Sequence, residues 1–304
     1  MWKGVSPKQR NRAPTITIIT TTMPTTITRR NERVEILILV DNKASPRFRA
    51  EHGFSVLVRM RQRSILFDTG AGAALSHNAS VLGVGRDEIQ VVVLSHGHYD
   101  HTGGLTWWEG EVSPTLYLSP YALQSRYSVR AGQARPIGMP AEARAWVNSL
   151  PPDRVVWTTE PHMIEEGCWV TGPISRSPHE DTGGPYFLDE EGRFPDPMLE
   201  DQAMWVETEE GLVVISGCAH AGIVSTLEYV IRVAGASKIR AVIGGFHLAH
   251  ASVARLTYTA EHLARLGVHT LVPCHCTGED AVSFLSRSLE GRVVTGEVGF
   301  RLSF

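Results

Sequence analysis

The sequence predicts an α/β protein in which two sheets pack face to face with helices outside. Three observations carry this. Short β-rich apolar runs bounded by Gly, Asp and Asn recur after residue 33, and strands alternate with amphipathic helices in the last hundred residues. The 304 residues, 42% hydrophobic and 20% charged, hold enough apolar surface for one large core or two smaller ones, which excludes a disordered or fibrous chain.

Residues 1–33 carry seven basic side chains against one acid, a local charge of +6 that leaves −9 for the remainder. The Thr/Ile tract from Pro14 to Pro24 has high β-propensity and no obvious partner strand, so this segment is expected to be a poorly ordered tail. An Arg- and Thr-rich, acid-poor start also fits a transit peptide, with Met23 as an alternative initiator. A single domain is expected over 34–304. Its strands are predicted at Val34–Val40, Phe54–Met60, Ser64–Phe67 and Gln90–Leu94, then at Thr115–Leu118 and Val155–Thr158, with a helix over Pro140–Leu150. The stretch Ser175–Glu200 is rich in Gly, Pro, acids and aromatics, which is loop chemistry over a length that makes it a candidate lid. Strands then follow at Leu212–Ser216, Ile239–Ile243 and Thr270–Val272, with two more at Val293 and Phe300. Helices begin near Ala221, Ser252 and Gly278, the last capped by Thr277.

The net charge of −3 offers no basic field to a nucleic-acid backbone, so nucleic acid is not expected as a partner. No stretch approaches the ~20 apolar residues of a membrane span and the N-terminus lacks a secretory core, so a cytoplasmic protein with no membrane partner is expected. The four cysteines, Cys168, Cys218, Cys274 and Cys276, are too few for a disulfide scaffold, and three lie close to histidines.

The chemistry concentrates in Ser95-His96-Gly97-His98-Tyr99-Asp100-His101-Thr102-Gly103-Gly104, directly after an apolar strand. His96 and His98 alternate with Gly97 and Tyr99, so a near-extended backbone aims both imidazoles at one point that can hold a metal. Asp100 and His101 then open a turn, the start of a short helix, and can address a second ion. Gly217-Cys218-Ala219-His220 and Pro273-Cys274-His275-Cys276-Thr277 repeat the strand-to-helix setting, the usual place of ligand sites in α/β sheets. Cys218 reads either as a metal-directed thiolate or, the favoured reading, as a small buried hydrophobe. Asp68 ends another strand and is expected to fix neighbouring backbone or a ligand histidine. His247, in Gly244-Gly245-Phe246-His247-Leu248, is a substrate contact or general acid on one reading and a satisfied core histidine on the other. His52, His179 and His250 are weaker candidates. His77, His162, His262 and His269 read as surface or structural. Trp107, Trp108, Tyr186 and Phe187 are available as stacking surfaces.

The pattern His-X-His-X-Asp-His after a strand, preceded by Asp68-Thr69-Gly70, resembles the metallo-β-lactamase superfamily over about residues 34–304. Together with Glu51-His52-Gly53-Phe54-Ser55, Gly217–Gly222, Gly244–Leu248 and His275–Gly278, it resembles the branch named for dihydropterin ribofuranosyl-aminobenzene phosphate synthase. The resemblance implies a four-layer αββα sandwich of two mixed sheets with a one- or two-metal site at its edge. It implies that His96, His98 and His220 bind the first metal and Asp100, His101 and His275 the second. Cys218 stands where many members place a bridging carboxylate, and a thiolate there would favour zinc, with iron or manganese as alternatives.

The function expected on these grounds is a metal-dependent hydrolase or transferase that uses one or two transition-metal ions. A metal-bound hydroxide or substrate oxygen would react with a small-molecule ester, phosphoester or pterin phosphate, with Asp100 orienting the nucleophile and taking its proton and His247 aiding catalysis. A di-iron redox enzyme and a non-catalytic metabolite-binding protein are the alternatives.

Overall fold

In the computed structural model, residues 34–111 and 113–304 are described; the Thr/Ile tail expected over 1–33 lies outside them. The N-terminal half runs β1 (Glu35–Val40), β2 (Ser55–Arg59), β3 (Ser64–Phe67), α1 (Leu75–Leu82), β4 (Ile89–Val93), α2 (Tyr99–Thr102) and β5 (Thr115–Leu118). A hairpin follows, β6 (Tyr127–Arg130) and β7 (Gln133–Pro136), then α3 (Ala141–Ser149) and β8 (Val155–Trp157). The second half begins with β9 (His162–Glu165), β10 (Cys168–Val170), β11 (Tyr186–Phe187) and β12 (Ala203–Thr208). It closes with β13 (Gly211–Ser216), α4 (Ile223–Ala234), β14 (Ile239–Gly245), α5 (Val253–Arg265), β15 (Thr270–Cys274), α6 (Glu279–Ser288) and β16 (Arg301–Ser303).

The strands form two mixed sheets, ordered β16-β1-β2-β3-β4-β5-β8 and β15-β14-β13-β12-β10-β9, with a small third sheet, β11-β6-β7. Strand periodicity explains why the main sheets stack as inner layers. Ile36, Ile38, Val91 and Val93 face Val213, Ile215, Ile243 and Val272 across the inter-sheet core. Their neighbours Leu37, Leu39, Val92 and Leu94 point the other way, onto α1 and α3. Leu212, Val214 and Val242 likewise face α4, α5 and α6. Burial on both faces is why these strands read as unbroken apolar runs, and each such side chain contributes about 1.5–3 kcal/mol. The result is the four-layer αββα sandwich.

Several helix starts are stabilised from a distance. No side chain of its own caps α1, and the Glu51 carboxylate instead accepts the Ala71, Gly72, Ala73 and Ala74 N–H groups at 2.8–3.3 Å. Glu180 accepts from the Val224 and Ser225 N–H groups at the start of α4. Thr277 does not cap α6: Gly278 takes that position, and Thr277 Oγ1 accepts the Phe246 N–H at 3.1 Å. Val293 forms an isolated bridge to Leu271 rather than a strand.

The strands β9, β10 and β12 went unpredicted. Met163 interrupts the burial alternation of β9, and β10, although it alternates, is three residues long. The candidate lid is tied down at both ends. Glu180 pairs with Arg255 at 3.1 Å, and Asp196 and Glu200 pair with the fully buried Arg126 at 2.7 and 2.6 Å. Breaking either pair leaves a buried charge alone, so both ends of the segment are firmly anchored. Among the described residues no helix is long and apolar enough to cross a membrane. Arg126→Met is expected to strand both carboxylates and lower stability by about 3–5 kcal/mol; urea denaturation monitored by circular dichroism measures it.

Candidate metal centre

Strand register brings the chemistry to one edge. Phe67 of β3 pairs with Val93 of β4, so Asp68 and Ser95 leave their strands side by side. In the second sheet Ser216 pairs with Gly244 and Gly245 with Cys274, so the parallel strands β13, β14 and β15 end together. Their exits deliver Cys218 and His220, then His247, then His275 and Cys276. Asp68, Ala219, His247 and His275 sit at these exits with φ of +58°, +53°, +49° and +47°, a left-handed backbone that non-glycine residues keep only where the surroundings enforce it.

Asp68 is fully buried and spends both oxygens locally. It accepts from the Ser95 N–H and the Ser95 hydroxyl, each at 2.7 Å, and from His101 Nδ1 at 2.7 Å. The same motif recurs around the cluster. His96 Nδ1 meets Ser95 Oγ at 2.7 Å, His220 Nδ1 the Thr182 carbonyl at 2.7 Å, and His275 Nδ1 the Asn42 side-chain oxygen at 2.9 Å. Each partner holds the Nδ1 proton outward and leaves an Nε2 lone pair facing inward. These Nε2 atoms converge: His96 lies 3.3 Å from His220, and His101 lies 3.3 Å from His275. His98 Nδ1 lies 3.0 Å from His96 Nε2, and its own Nε2 is buried with no hydrogen-bond partner.

Imidazole nitrogens this close, most with their Nδ1 held outward, and the buried His98 Nε2 left without a partner are costly arrangements that a cation resolves. The donor set therefore fits a metal ion. Burial pushes His96, His98 and His220 down, His98 to about 3, so all three are neutral at physiological pH, the form in which an imidazole can accept a metal. Burial also lowers His101, but the Asp68 and Asp100 charges outweigh it and hold it up at about 9, so an incoming cation takes the place of a proton. Asp100 resists its own burial because His101, His275 and His52 keep it well below the usual carboxylate range. Its Oδ2 lies 3.1 Å from His52 Nε2, 3.3 Å from His275 Nε2 and 3.9 Å from His101 Nε2.

Of the six expected ligands, His96, His98 and His220 have donor atoms within 4.8 Å of one another; Asp100 and His275 make such a group with His52, whereas His101 makes one with His96 and Cys218. Cys218 is buried, 3% exposed, as the hydrophobe reading expects, but it joins none of the apolar clusters and its Sγ lies 3.1 Å from His101 Nε2. His247 packs against His220 with ring centroids 4.5 Å apart and the planes tilted by 46°, its Nε2 3.2 Å from Tyr186 Oη and 3.3 Å from the Gly183 carbonyl. Trp108 is core, packed on Trp146, with Trp107 partly buried beside it; neither reaches the cavity. Phe187 also falls outside the cavity wall, which Tyr186 does line. His250 lines the cavity and His179 does not. Sequence reasoning missed Asn42 and underrated His52. The signal for Asn42 was its place at the end of β1, the setting of every other site residue from a strand exit.

The cluster floors a cavity of about 1080 Å³ whose wall includes Arg130 and Arg135 from the β6–β7 hairpin. An αββα sandwich with converging imidazoles at one sheet edge defines a class of metal-site proteins. Residues 49–275 match the model of the metallo-β-lactamase superfamily, and the chain belongs to that superfamily. It is 31% identical over 269 residues to the 7,8-dihydropterin-6-methyl-4-(β-D-ribofuranosyl)-aminobenzene-5'-phosphate synthase of Methanocaldococcus jannaschii, covering 81% of this chain and 88% of that one. Among solved structures it is similar to Tm1679, a metal-dependent hydrolase of the β-lactamase superfamily. There the TM-score is 0.76 at 34% identity, over 88% of this chain and 98% of that one. Zinc-bound PqqB of Methylobacterium extorquens shares the fold at a TM-score of 0.55 and 16% identity, over 88% and 99% of the two chains. The chain is a metallo-β-lactamase-fold enzyme.

A Cβ on Gly217 would fall 2.0 Å from Ser95 Oγ and 2.7 Å from Asp68 Oδ2. Gly217→Ala is expected to displace the Asp68–Ser95 pair and cost about 1–3 kcal/mol. A thermal melt of the purified variant tests this, and an unchanged midpoint would show that the pair tolerates displacement.

Proposed function

We propose that the chain is a metal-dependent hydrolase or transferase acting on a small-molecule ester or phosphoester. The observation that carries this reading is the convergence of inward-facing Nε2 atoms on the floor of a cavity large enough for a metabolite. His96, His98 and His220 would hold one ion, and Asp100, His101 and His275 a second, with zinc the first choice. Bound there, the metal would supply Lewis acidity toward a substrate oxygen and bring the pKa of a water toward ~7.

The protein's own groups then divide the work. Asp100, kept ionised by its imidazole neighbours, orients the attacking group and takes its proton on Oδ2. His52 touches that oxygen while 58% of its side chain is exposed, so it can pass the proton to solvent. His247, held by Tyr186 and the Gly183 carbonyl, donates to the leaving group. Arg130 and Arg135 in the cavity wall favour an anionic substrate, and Arg135 is steadied by Tyr99 Oη at 3.2 Å. The phosphate in the name of the Methanocaldococcus relative agrees with this, and its synthase label makes transfer of a pterin group the specific form to try first.

His98→Ala is expected to lose most bound metal and at least about 100-fold in turnover, exceeding the loss typical of outer partners. Elemental analysis with a screen of phosphodiesters, lactones, thioesters and pterin phosphates checks it; full metal content in the variant would sink the ligand assignment. Chelation is expected to abolish any activity found, and added zinc to restore it. Turnover that persists in chelator-stripped protein would exclude the metal-dependent mechanism.

A further inference from the structure

Beside the imidazole cluster lies a pair of thiols that the proposed mechanism does not use in full. Cys218 leaves β13 and Cys276 follows β15, so strand β14 runs between them. They nevertheless meet: Cys276 Sγ lies 3.7 Å from the Cys218 carbonyl oxygen, and Cys218 Sγ, Cys276 Sγ and a His275 ring nitrogen all lie within 4.8 Å of one another. Both cysteines are free thiols. What makes the meeting possible is Gly245, at the end of β14. A Cβ there would fall 2.5 Å from Cys276 Sγ and 3.3 Å from Cys218 Cα, so any other residue would close the gap through which the thiol crosses.

We propose that Cys218, Cys276 and His275 form a thiolate-rich pocket for the second metal ion, the two thiols standing in place of Asp100 and His101, the partners the family pattern gives His275, and Cys276 being a ligand that pattern does not supply. The inference rests on the metal-dependent reading above and specifies which kind of ion occupies its second site. In a tetrahedral zinc–thiolate site with bonds of ~2.3 Å, sulfurs stand roughly 3.8 Å apart, so donors already within the observed limit need to close by no more than about 1 Å. His275 is prepared for this role, since Asn42 holds its Nδ1 and turns Nε2 toward the cluster. Cys276 is partly exposed on the cavity wall, so an ion can reach it from solvent. Two soft sulfurs beside imidazole select zinc, cobalt(II) or cadmium over manganese and magnesium, which prefer oxygen.

The test is a cobalt(II) titration of the reduced, chelator-stripped full chain under anaerobic conditions. The expected spectrum shows visible d–d bands together with a near-ultraviolet thiolate-to-cobalt charge-transfer band. That band should fall by about half in Cys218→Ser and in Cys276→Ser and vanish in the double variant. Cys168→Ala, whose thiol lies in the inter-sheet core, should keep it. Because Cys218 is buried and its variant is at risk of misfolding, wild-type protein supplies a second measurement: cobalt should slow iodoacetamide labelling of Cys276 at least about tenfold. Visible bands without charge transfer, or labelling of Cys276 unaffected by cobalt, would overturn the thiolate pocket while leaving the imidazole site intact. No cobalt spectrum of any kind would overturn the metal-dependent reading, and the pocket with it.

Discussion

Because a buried carboxylate must satisfy both of its oxygens, Asp68 acts as the joint on which the imidazole cluster is assembled. Its contacts run along one chain of dependence, from the end of β3 to the Ser95 N–H and hydroxyl at the end of β4, and from there to His96. A second arm reaches His101 directly. Gly217 brings the second sheet against the same carboxylate, where a side chain would intrude. The orientation of His96 and His101 is thus referred to one anion, wedged between the two sheets, and the buried strands on either side keep that anion dry.

The strand exits carry strain. Four non-glycine residues in left-handed conformation, at roughly 1–3 kcal/mol each, are a sizeable load for one site. Strands buried on both faces offset it, since their apolar surface far exceeds what the exits cost. Alignment of the exits leaves little room for relaxation. With Ser216 beside Gly244 and Gly245 beside Cys274, one chain cannot relax into a right-handed turn without moving its neighbours.

What could be read from the sequence follows from how local each signal is. The apolar runs of β1 to β4 and β13 to β15 announced themselves because most of their residues are buried on both faces, with polar residues such as Gln90 and Arg240 kept near the strand ends. The His96–His101 cluster was legible because its four side chains lie within six residues of chain. Strands β9, β10 and β12 were not, being short or following a long irregular segment. The contacts of Asn42 and Cys276 escaped for another reason: they exist only once His275, 233 positions from Asn42, and Cys218, 58 positions from Cys276, arrive beside them. Trp107 and Trp108 misled because aromatic character says nothing about which face of a turn a side chain takes.

The proposed ligands are divided between the sheets. His96, His98, Asp100 and His101 follow β4 in the first, and Cys218, His220 and His275 follow β13 and β15 in the second. An ion shared by both groups is a clasp across the sandwich, and at a thousandfold excess over its dissociation constant it would add about 4 kcal/mol to folding. Such a gain is enough to change how long a chain survives cellular proteases. The abundance of this protein would then follow the cell's supply of the metal, so scarcity would remove idle copies as well as idle them.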